Sequence, residues 1–381
     1  MDWVVKATRS CNLRCRYCYE WDHLSDPARL PLAAWQRLLC LIRDAHLEHT
    51  ASNPYPVKAP RIVWHGGEPL ALPWHYFVEV IWQQRAVLEA AEVPYRNLVQ
   101  TNLFAPRRGL LEYLIEAGFE FGVSLDFVGG ARLTASGRET GQRVLENVEL
   151  LRTLGAEVGF IVVVAGHNLD HLDRIYDTAR REARRLRLLP LFAGPPTRPM
   201  QGLEVVPEAM SAALLRLFRR WVDDGCVVAI EPFTDYLTTV LMHRLGLDRA
   251  PCLEADSGPG GFSVMTVDPQ GFVFRGVDAS DTGTAVGHLE RDSWFSLRNG
   301  EYYQAALAAA VERADLACAG CSFRGACDGY PLQAVPMSPD TRSGCGLHQR
   351  MLAGVDAWLA GQNVAPARLR LMLEESLRVQ I

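Results

Sequence analysis

The segment Trp3-Val-Val-Lys-Ala-Thr8-Arg-Ser-Cys11-Asn-Leu-Arg-Cys15-Arg-Tyr-Cys18 decides how the rest of the chain is read. Trp3–Thr8 has the β-branched and aromatic content of a strand, and it runs straight into a loop that carries three thiols. A closed [4Fe–4S] site takes four thiolates. Three leave one iron without a protein ligand, and such an open position can take a small molecule, as catalytic metal positions do. Zinc binds the same donors, and the spacing alone does not choose between them. The location adds weight to iron chemistry, because in a β/α chain the loops that follow strands carry the reacting groups.

Working outward from this segment, short apolar runs alternate with amphipathic helical stretches. Strands are predicted at Trp3–Thr8, Arg61–His65, Asn97–Thr101, Phe119–Leu125, Val158–Ala165 and Arg187–Phe192. Helices are predicted at Leu32–His49, Trp74–Ala91, Arg108–Ala117, Thr140–Leu154 and Leu169–Leu186. Alternation at this spacing means a parallel sheet with helical crossovers. The expected fold class is therefore α/β, a partial (β/α)6 TIM-like barrel. A Pro/Gly-rich stretch, Gly194–Gly202, interrupts the pattern, and helices follow at Pro207–Asp224 and Pro232–Leu245. From Pro251 the texture becomes Gly-rich loops with one hairpin, Phe262–Val267 and Phe272–Arg275, turning at Asp268–Gly271. A last amphipathic helix is predicted at Pro366–Val379. The expected division is a barrel over 1–200, a helical bridge over 201–250, a cysteine-bearing domain over 251–350 and a helical cap over 351–381.

The chain has 381 residues, 49% of them hydrophobic and 22% charged, which is the balance of a globular protein. A net charge of −5 gives no electrostatic basis for a nucleic-acid partner. No apolar run reaches the roughly eighteen residues of a membrane span, and MDWVVKATRSC lacks the order of a signal peptide. A cytoplasmic protein is expected, with no nucleic-acid and no membrane partner. Ten cysteines then point to metal rather than to disulfides. Three lie at 11–18 and four more at 318–345, while Cys40, Cys226 and Cys252 stand apart. Cys40, beside Leu38, Leu39 and Leu41, reads as a buried small hydrophobe.

The N-terminal segment resembles the radical S-adenosylmethionine (SAM) superfamily, whose signature is C-x3-C-x-(aromatic)-C, with Tyr17 at the aromatic position. The resemblance implies a [4Fe–4S] cluster on Cys11, Cys15 and Cys18, with S-adenosyl-L-methionine chelating the unique iron. One-electron cleavage then gives a 5′-deoxyadenosyl radical that abstracts hydrogen from the substrate. Further stretches match at successive strand ends. Gly66-Gly67-Glu68-Pro69 follows the second strand, Gln100-Thr101-Asn102 ends the third and Ser124-Leu125-Asp126 ends the fourth. The glycines let the backbone approach a ligand, and the Glu68 carboxylate can accept from the cofactor's ammonium. In the peptide-modifying branch the counterpart of Ser124 contacts the ribose, and an arginine placed as Arg132 is, or as its competitor Arg138, holds the methionyl carboxylate. Taken singly, these residues also read as a turn and as helix caps.

Cys318-Ala-Gly-Cys321, Cys327 and Cys345 follow the pattern C-x2-C-x5-C…C. A zinc ribbon uses the same donors. The pattern resembles the SPASM module of peptide-modifying radical enzymes, in which these four positions ligate an outer auxiliary [4Fe–4S] cluster. The module's inner cluster needs more thiolates, yet the stretch Gly271-Phe-Val-Phe-Arg ends at Gly276, and Pro331 stands where another cysteine belongs. Cys252 is the one plausible survivor. Two clusters are expected, not three.

The resemblance implies a maturase that acts on a precursor peptide, by cross-linking, epimerisation or side-chain oxidation, and the expected product is an intramolecular cross-link, a carbon–carbon cyclophane or a thioether. The alternative within enzymes is a sulfatase-type formylglycine maturase. The alternative of another class is a non-catalytic zinc or iron–sulfur scaffold. Implied partners are the precursor peptide and an electron donor such as flavodoxin or ferredoxin. With the first strand at Trp3, the precursor is expected to be recognised by the barrel, the bridge or a separate leader-binding protein. Asp278, just past the hairpin, and Asp126 are the candidate acid–base residues, and each also reads as a turn cap. His65 faces either the barrel mouth or the core.

Overall fold

A computed structural model describes residues 1–52, 57–191, 199–248, 264–276, 282–327 and 345–379. Its centre is one ten-stranded sheet with the order β10-β9-β8-β1-β2-β3-β4-β5-β6-β7. The strands are β1 (Asp2–Thr8), β2 (Arg61–Gly66), β3 (Arg96–Thr101), β4 (Glu120–Ser124), β5 (Val158–Val164), β6 (Arg185–Pro190), β7 (Ala229–Glu231), β8 (Val264–Val267), β9 (Phe272–Arg275) and β10 (Gly287–His288). Every pairing from β1 to β7 is parallel, and β8 also lies parallel to β1. The hairpin β8–β9 therefore extends the barrel's own sheet. β7 and β10 are its two ends, so the barrel is open.

Helices α1 (Leu32–Ser52), α2 (Trp74–Val87), α3 (Arg108–Glu116), α4 (Gly141–Thr153), α5 (Leu172–Glu182), α6 (Pro207–Asp223) and α7 (Phe233–Arg244) lie between these strands in sequence. The period-two alternation of each strand sorts its side chains between two faces. On β1, Trp3, Val5 and Ala7 enter the apolar core with Trp35 and Leu38 of α1, while Lys6 turns the other way and meets Glu20 at 2.5 Å. On β2, Trp64 packs against Trp35 (ring centroids 4.6 Å apart) and Phe77 (5.0 Å), so His65 beside it faces the lumen side of the sheet. That settles the open question about His65: it is half-buried, with a polar neighbourhood.

Four sequence expectations change. The helix predicted to run through Leu186 stops at Glu182, because Arg185 and Leu186 are already paired to Gly159 and Phe160 as β6. β7 is only three residues long, too short to show a period. The C-terminal third, read as loops and one hairpin, contains α8 (Trp294–Asn299), α9 (Glu301–Cys318) and α10 (Gly346–Gly361) before α11 (Pro366–Val379). Cys40 is half-buried rather than part of the core. Among the described residues no helix is long and apolar enough to cross a membrane.

Candidate active site

The loop after β1 is pinned on several sides by backbone hydrogen bonds. Cys11 N donates to Leu24 O (3.1 Å), Arg14 N to Leu133 O (2.7 Å) and Arg16 N to Ala131 O (2.9 Å). The turn after β2 zips onto the same loop, with Gly67 N donating to Thr8 O (2.7 Å) and Glu68 N to Ser10 O (2.9 Å). This approach requires glycine. A Cβ on Gly67 would lie 2.1 Å from Ser10 O, and one on Gly66, whose φ is +106°, would lie 2.2 Å from Thr8 O. The two glycines predicted to permit close approach do so toward the cysteine loop itself.

The three thiols fit a cluster. Burial pushes Cys11 up to about 11 and Cys18 up to about 12, and each is raised further by a neighbouring cysteine of the set. Burial likewise raises Cys15. Thiols held this way are neutral by themselves, and a bound cation would have to supply the charge that ionises them. Leu13 N donates to Cys11 Sγ at 3.4 Å and Asn102 Nδ2 at 3.6 Å, so two donors already point at that sulfur. Among the described residues no three Cys, His, Asp or Glu side chains converge as they would around one metal ion. A cubane places each thiolate on a different iron, so its ligands need not meet at a point.

Glu68 is buried and accepts three hydrogen bonds, from Leu70 N (2.9 Å), Thr101 Oγ1 (2.7 Å) and Asn102 N (2.7 Å). A carboxylate has about four acceptor positions, so most of this one is committed to holding the ends of β2 and β3 together. Burial raises its pKa, against the pull of these donors. A cavity of about 40 Å3 opens here, lined by Asn12, Glu68, Thr101, Asn102, Phe104 and Pro106. Asn102 Nδ2 reaches Asn12 Oδ1 across it at 2.7 Å.

On the other side of the loop, the Tyr17 hydroxyl donates to Asp126 (2.7 Å to Oδ2) and accepts from Arg132 Nη1 (2.9 Å). His167 Nε2 lies 3.3 Å from Asp126 Oδ2. All four side chains are at most about a tenth exposed. Arg132 Nε is buried without a hydrogen-bond partner; burial works against the guanidinium's charge, and the neighbouring Cys15, Tyr17 and Asp126 hold its pKa up against it. An uncommitted donor beside the cluster loop suits a ligand carboxylate. Arg138 is exposed, its backbone N–H bonded to Thr134 Oγ1. Leu103 (φ +50°) and Phe127 (φ +60°), which directly follow Asn102 and Asp126, adopt the left-handed conformation. Bulky residues pay for it, and such strain gathers at functional sites.

Gln100 and Ser124 occupy the predicted ends of β3 and β4, both half-buried. Asp278, Cys252 and Pro331 lie outside the described residues. His167 was missed by the sequence reading, although the same rule of strand ends would have flagged it, three residues past β5. Glu20 and Arg9 were missed as well. With Lys6 and Asp268 they form a buried ionic group, Arg9 Nη2 lying 3.3 Å from Asp268 Oδ2. No local spacing announces a cluster assembled from residues so far apart.

At the C-terminal end, Cys318 closes α9, Cys321 N donates back to Cys318 O (3.1 Å), and Cys345 is buried against Ala317 and Cys318. Burial, then Cys318 and Cys321, push the Cys345 thiol up to about 11. Cys318, Cys321 and Cys345 thus lie near one another, while Cys327 Sγ lies 3.5 Å from His348 Nε2.

Comparison with known proteins agrees with this geometry. Residues 5–179 match the radical SAM superfamily model. The chain is 27% identical over 231 residues to the serine-type anaerobic sulfatase-maturating enzyme of Klebsiella aerogenes, covering 58% of this chain and 55% of that protein. It is 24% identical over 251 residues to the cysteine-type enzyme of Clostridium novyi (strain NT), covering 62% and 64%. The matches thus span little more than half the length of these relatives. The fold is similar to that of anSMEcpe with bound AdoMet, at a TM-score of 0.72 and 16% identity over 98% of this chain and 99% of that one. It is also similar to Streptococcus suis SuiB bound to S-adenosylmethionine, at 0.55 and 14% over 86% and 72%. The open parallel sheet has the same fold as these structures, and residues 5–179, a little under half of the chain, match the radical SAM superfamily.

Proposed function

We propose that this chain is a radical SAM maturase that removes a hydrogen atom from a side chain of a precursor peptide and closes an intramolecular cross-link, a carbon–carbon cyclophane or a thioether. The observation that carries the reading is the junction of Gly66–Glu68 with the Cys11–Cys18 loop, with Asn102 just past the end of β3 and Arg132 in the segment Ala131–Leu133 that hydrogen-bonds to the same loop. Cys11, Cys15 and Cys18 would hold a [4Fe–4S] cluster. Gly66, Gly67, Glu68, Gln100, Asn102, Ser124, Tyr17 and Arg132 would cradle S-adenosylmethionine, with the free Arg132 Nε toward its carboxylate. Together these groups would supply one-electron cleavage and hydrogen abstraction. Cys318, Cys321, Cys327 and Cys345 would hold an auxiliary [4Fe–4S] cluster, whose chemistry is one-electron transfer. Asp126, tied to Tyr17 and His167, orients the cofactor side of the site in this reading. Asp278 and Asp126 remain the candidates for proton transfer. The partners in this reading are an electron donor such as a ferredoxin or flavodoxin, and a precursor recognised by the barrel, the bridge or a separate leader-binding protein.

A second reading, formylglycine formation, is favoured by the sulfatase-maturating relatives. Gly276 and Pro331, where the full module carries thiolates, weigh against it. Anaerobic purification should give about eight irons per chain, the sum of two cubanes. Co-expression with a candidate peptide separates the two readings. A product two hydrogens lighter that does not react with hydrazide supports the cross-link, and a hydrazide-reactive aldehyde supports formylglycine. Neither product, together with no iron, would return the chain to a binding or scaffold role.

A further inference from the structure

The first turn of α10 folds over the C-terminal thiols. Gln349 N–H points to the Cys345 sulfur, and His348 Nε2 lies 3.5 Å from Cys327 Sγ. From another side, the His348 ring meets Tyr236 of α7, with centroids 4.9 Å apart and planes at 57°. One turn pair further along the same helix, His243 packs on Phe323 at 4.8 Å. α7 follows β7 directly in the chain, so the imidazole is wedged between the barrel's last parallel strand–helix unit and a sulfur of the cysteine module. A phenylalanine could fill this space against Tyr236. Only a side chain with a hydrogen-bond donor can also serve the sulfur.

We propose that His348 is a positioning residue of the auxiliary cluster, donating its Nε2–H to the Cys327 thiolate and thereby raising the cluster's reduction potential. This rests on the reading that Cys318, Cys321, Cys327 and Cys345 carry a [4Fe–4S] cluster. A hydrogen bond to a ligating sulfur draws electron density from the iron and favours the more negative, reduced state. The N-terminus of α10, with its positive dipole end and the Gln349 N–H, acts in the same direction. A cluster tuned upward in this way accepts an electron more readily, which is the property required of an acceptor in an oxidative cross-linking reaction.

The test uses the full chain with Cys11, Cys15 and Cys18 replaced by alanine, so that one cluster remains, reconstituted anaerobically. Iron is counted first, and the midpoint potential is then read by a redox titration followed by electron paramagnetic resonance. His348→Phe should keep about four irons and shift the midpoint to a more negative value. His348→Gln, which retains an N–H donor, should return it toward the parent. Equal midpoints in all three proteins overturn the proposal. His348→Leu stands in if the phenylalanine variant loses its iron. Loss of iron in both overturns the proposal too, because the imidazole would then be needed for assembly rather than for potential. A parent that holds zinc or no iron overturns the auxiliary-cluster reading itself, so the iron count tells the two failures apart.

Discussion

Thr101 Oγ1 donates to Glu68 Oε1 at 2.7 Å, tying the end of β3 to the turn after β2. The carboxylate is a structural clamp as much as a ligand, since Leu70 N and Asn102 N bind it as well. Glu68→Gln leaves a single acceptor oxygen for these three donors. We expect S-adenosylmethionine binding to weaken by about 1.5–3 kcal/mol, the range for hydrogen bonds to a charged group, with the iron content unchanged. Calorimetry on the anaerobic protein measures this, and an unaltered affinity would reduce Gly66–Glu68 to a turn.

Gly67→Ala tests the junction sterically. Its Cβ would sit 2.1 Å from the Ser10 carbonyl oxygen, a backbone atom that cannot rotate away. The cysteine loop must shift, and we expect about four irons fewer per chain with far-ultraviolet dichroism preserved. A full iron complement would show that the loop tolerates displacement.

Much of this was legible in the sequence, and the reasons for the rest are specific. β1–β6 were readable because each is an apolar run followed by an amphipathic helix, and the motifs at 66–69, 100–102 and 124–126 fall at strand ends as expected. α9 was not read, because its Ala-rich sequence has little amphipathic contrast, although alanine's propensity alone favours a helix. The pairing of β8 with β1 joins residues far apart in the chain, which no local pattern encodes. The same holds for the Tyr17–Asp126–His167 network: Tyr17 and Asp126 were each singled out, but their contact is tertiary.

Tyr17→Phe removes a hydroxyl that bridges Arg132 and Asp126. Arg132 would lose a partner inside the site, leaving a buried charge less well held. Affinity for S-adenosylmethionine should fall by about 1–3 kcal/mol while the C-x3-C-x2-C cluster still assembles. Equilibrium binding of the cofactor, compared with Asp126→Asn as a second break in the same network, checks it. Wild-type affinity in both variants would remove the network from cofactor binding.

His65 predicts a pH dependence. Burial, then the nearby Lys6, lower its pKa from 6.5 to about 4, and Gly66 N donates to its Nδ1 at 2.6 Å, a bond that suits the neutral ring. The unfolded chain takes up a proton below its ordinary pKa while the folded state refuses it until about 4. The contribution is therefore present above pH 6.5 and is lost as the pH falls through this window. The ring is partly exposed, which limits the effect to on the order of 1–2 kcal/mol. Urea unfolding should show that His65→Gln has a shallower loss of stability between pH 6.5 and 4 than the parent. Parallel curves would mean that His65 is protonated alike in both states.

The central claim is that the three thiols after β1 carry the cluster at which S-adenosylmethionine is cleaved. The most direct measurement is 5′-deoxyadenosine formation by the chain with Cys11, Cys15 and Cys18 all replaced by alanine, given reductant, cofactor and peptide, with iron counted in the same sample. The account predicts about four irons fewer than the parent and no 5′-deoxyadenosine. Continued formation of 5′-deoxyadenosine by that variant would contradict it.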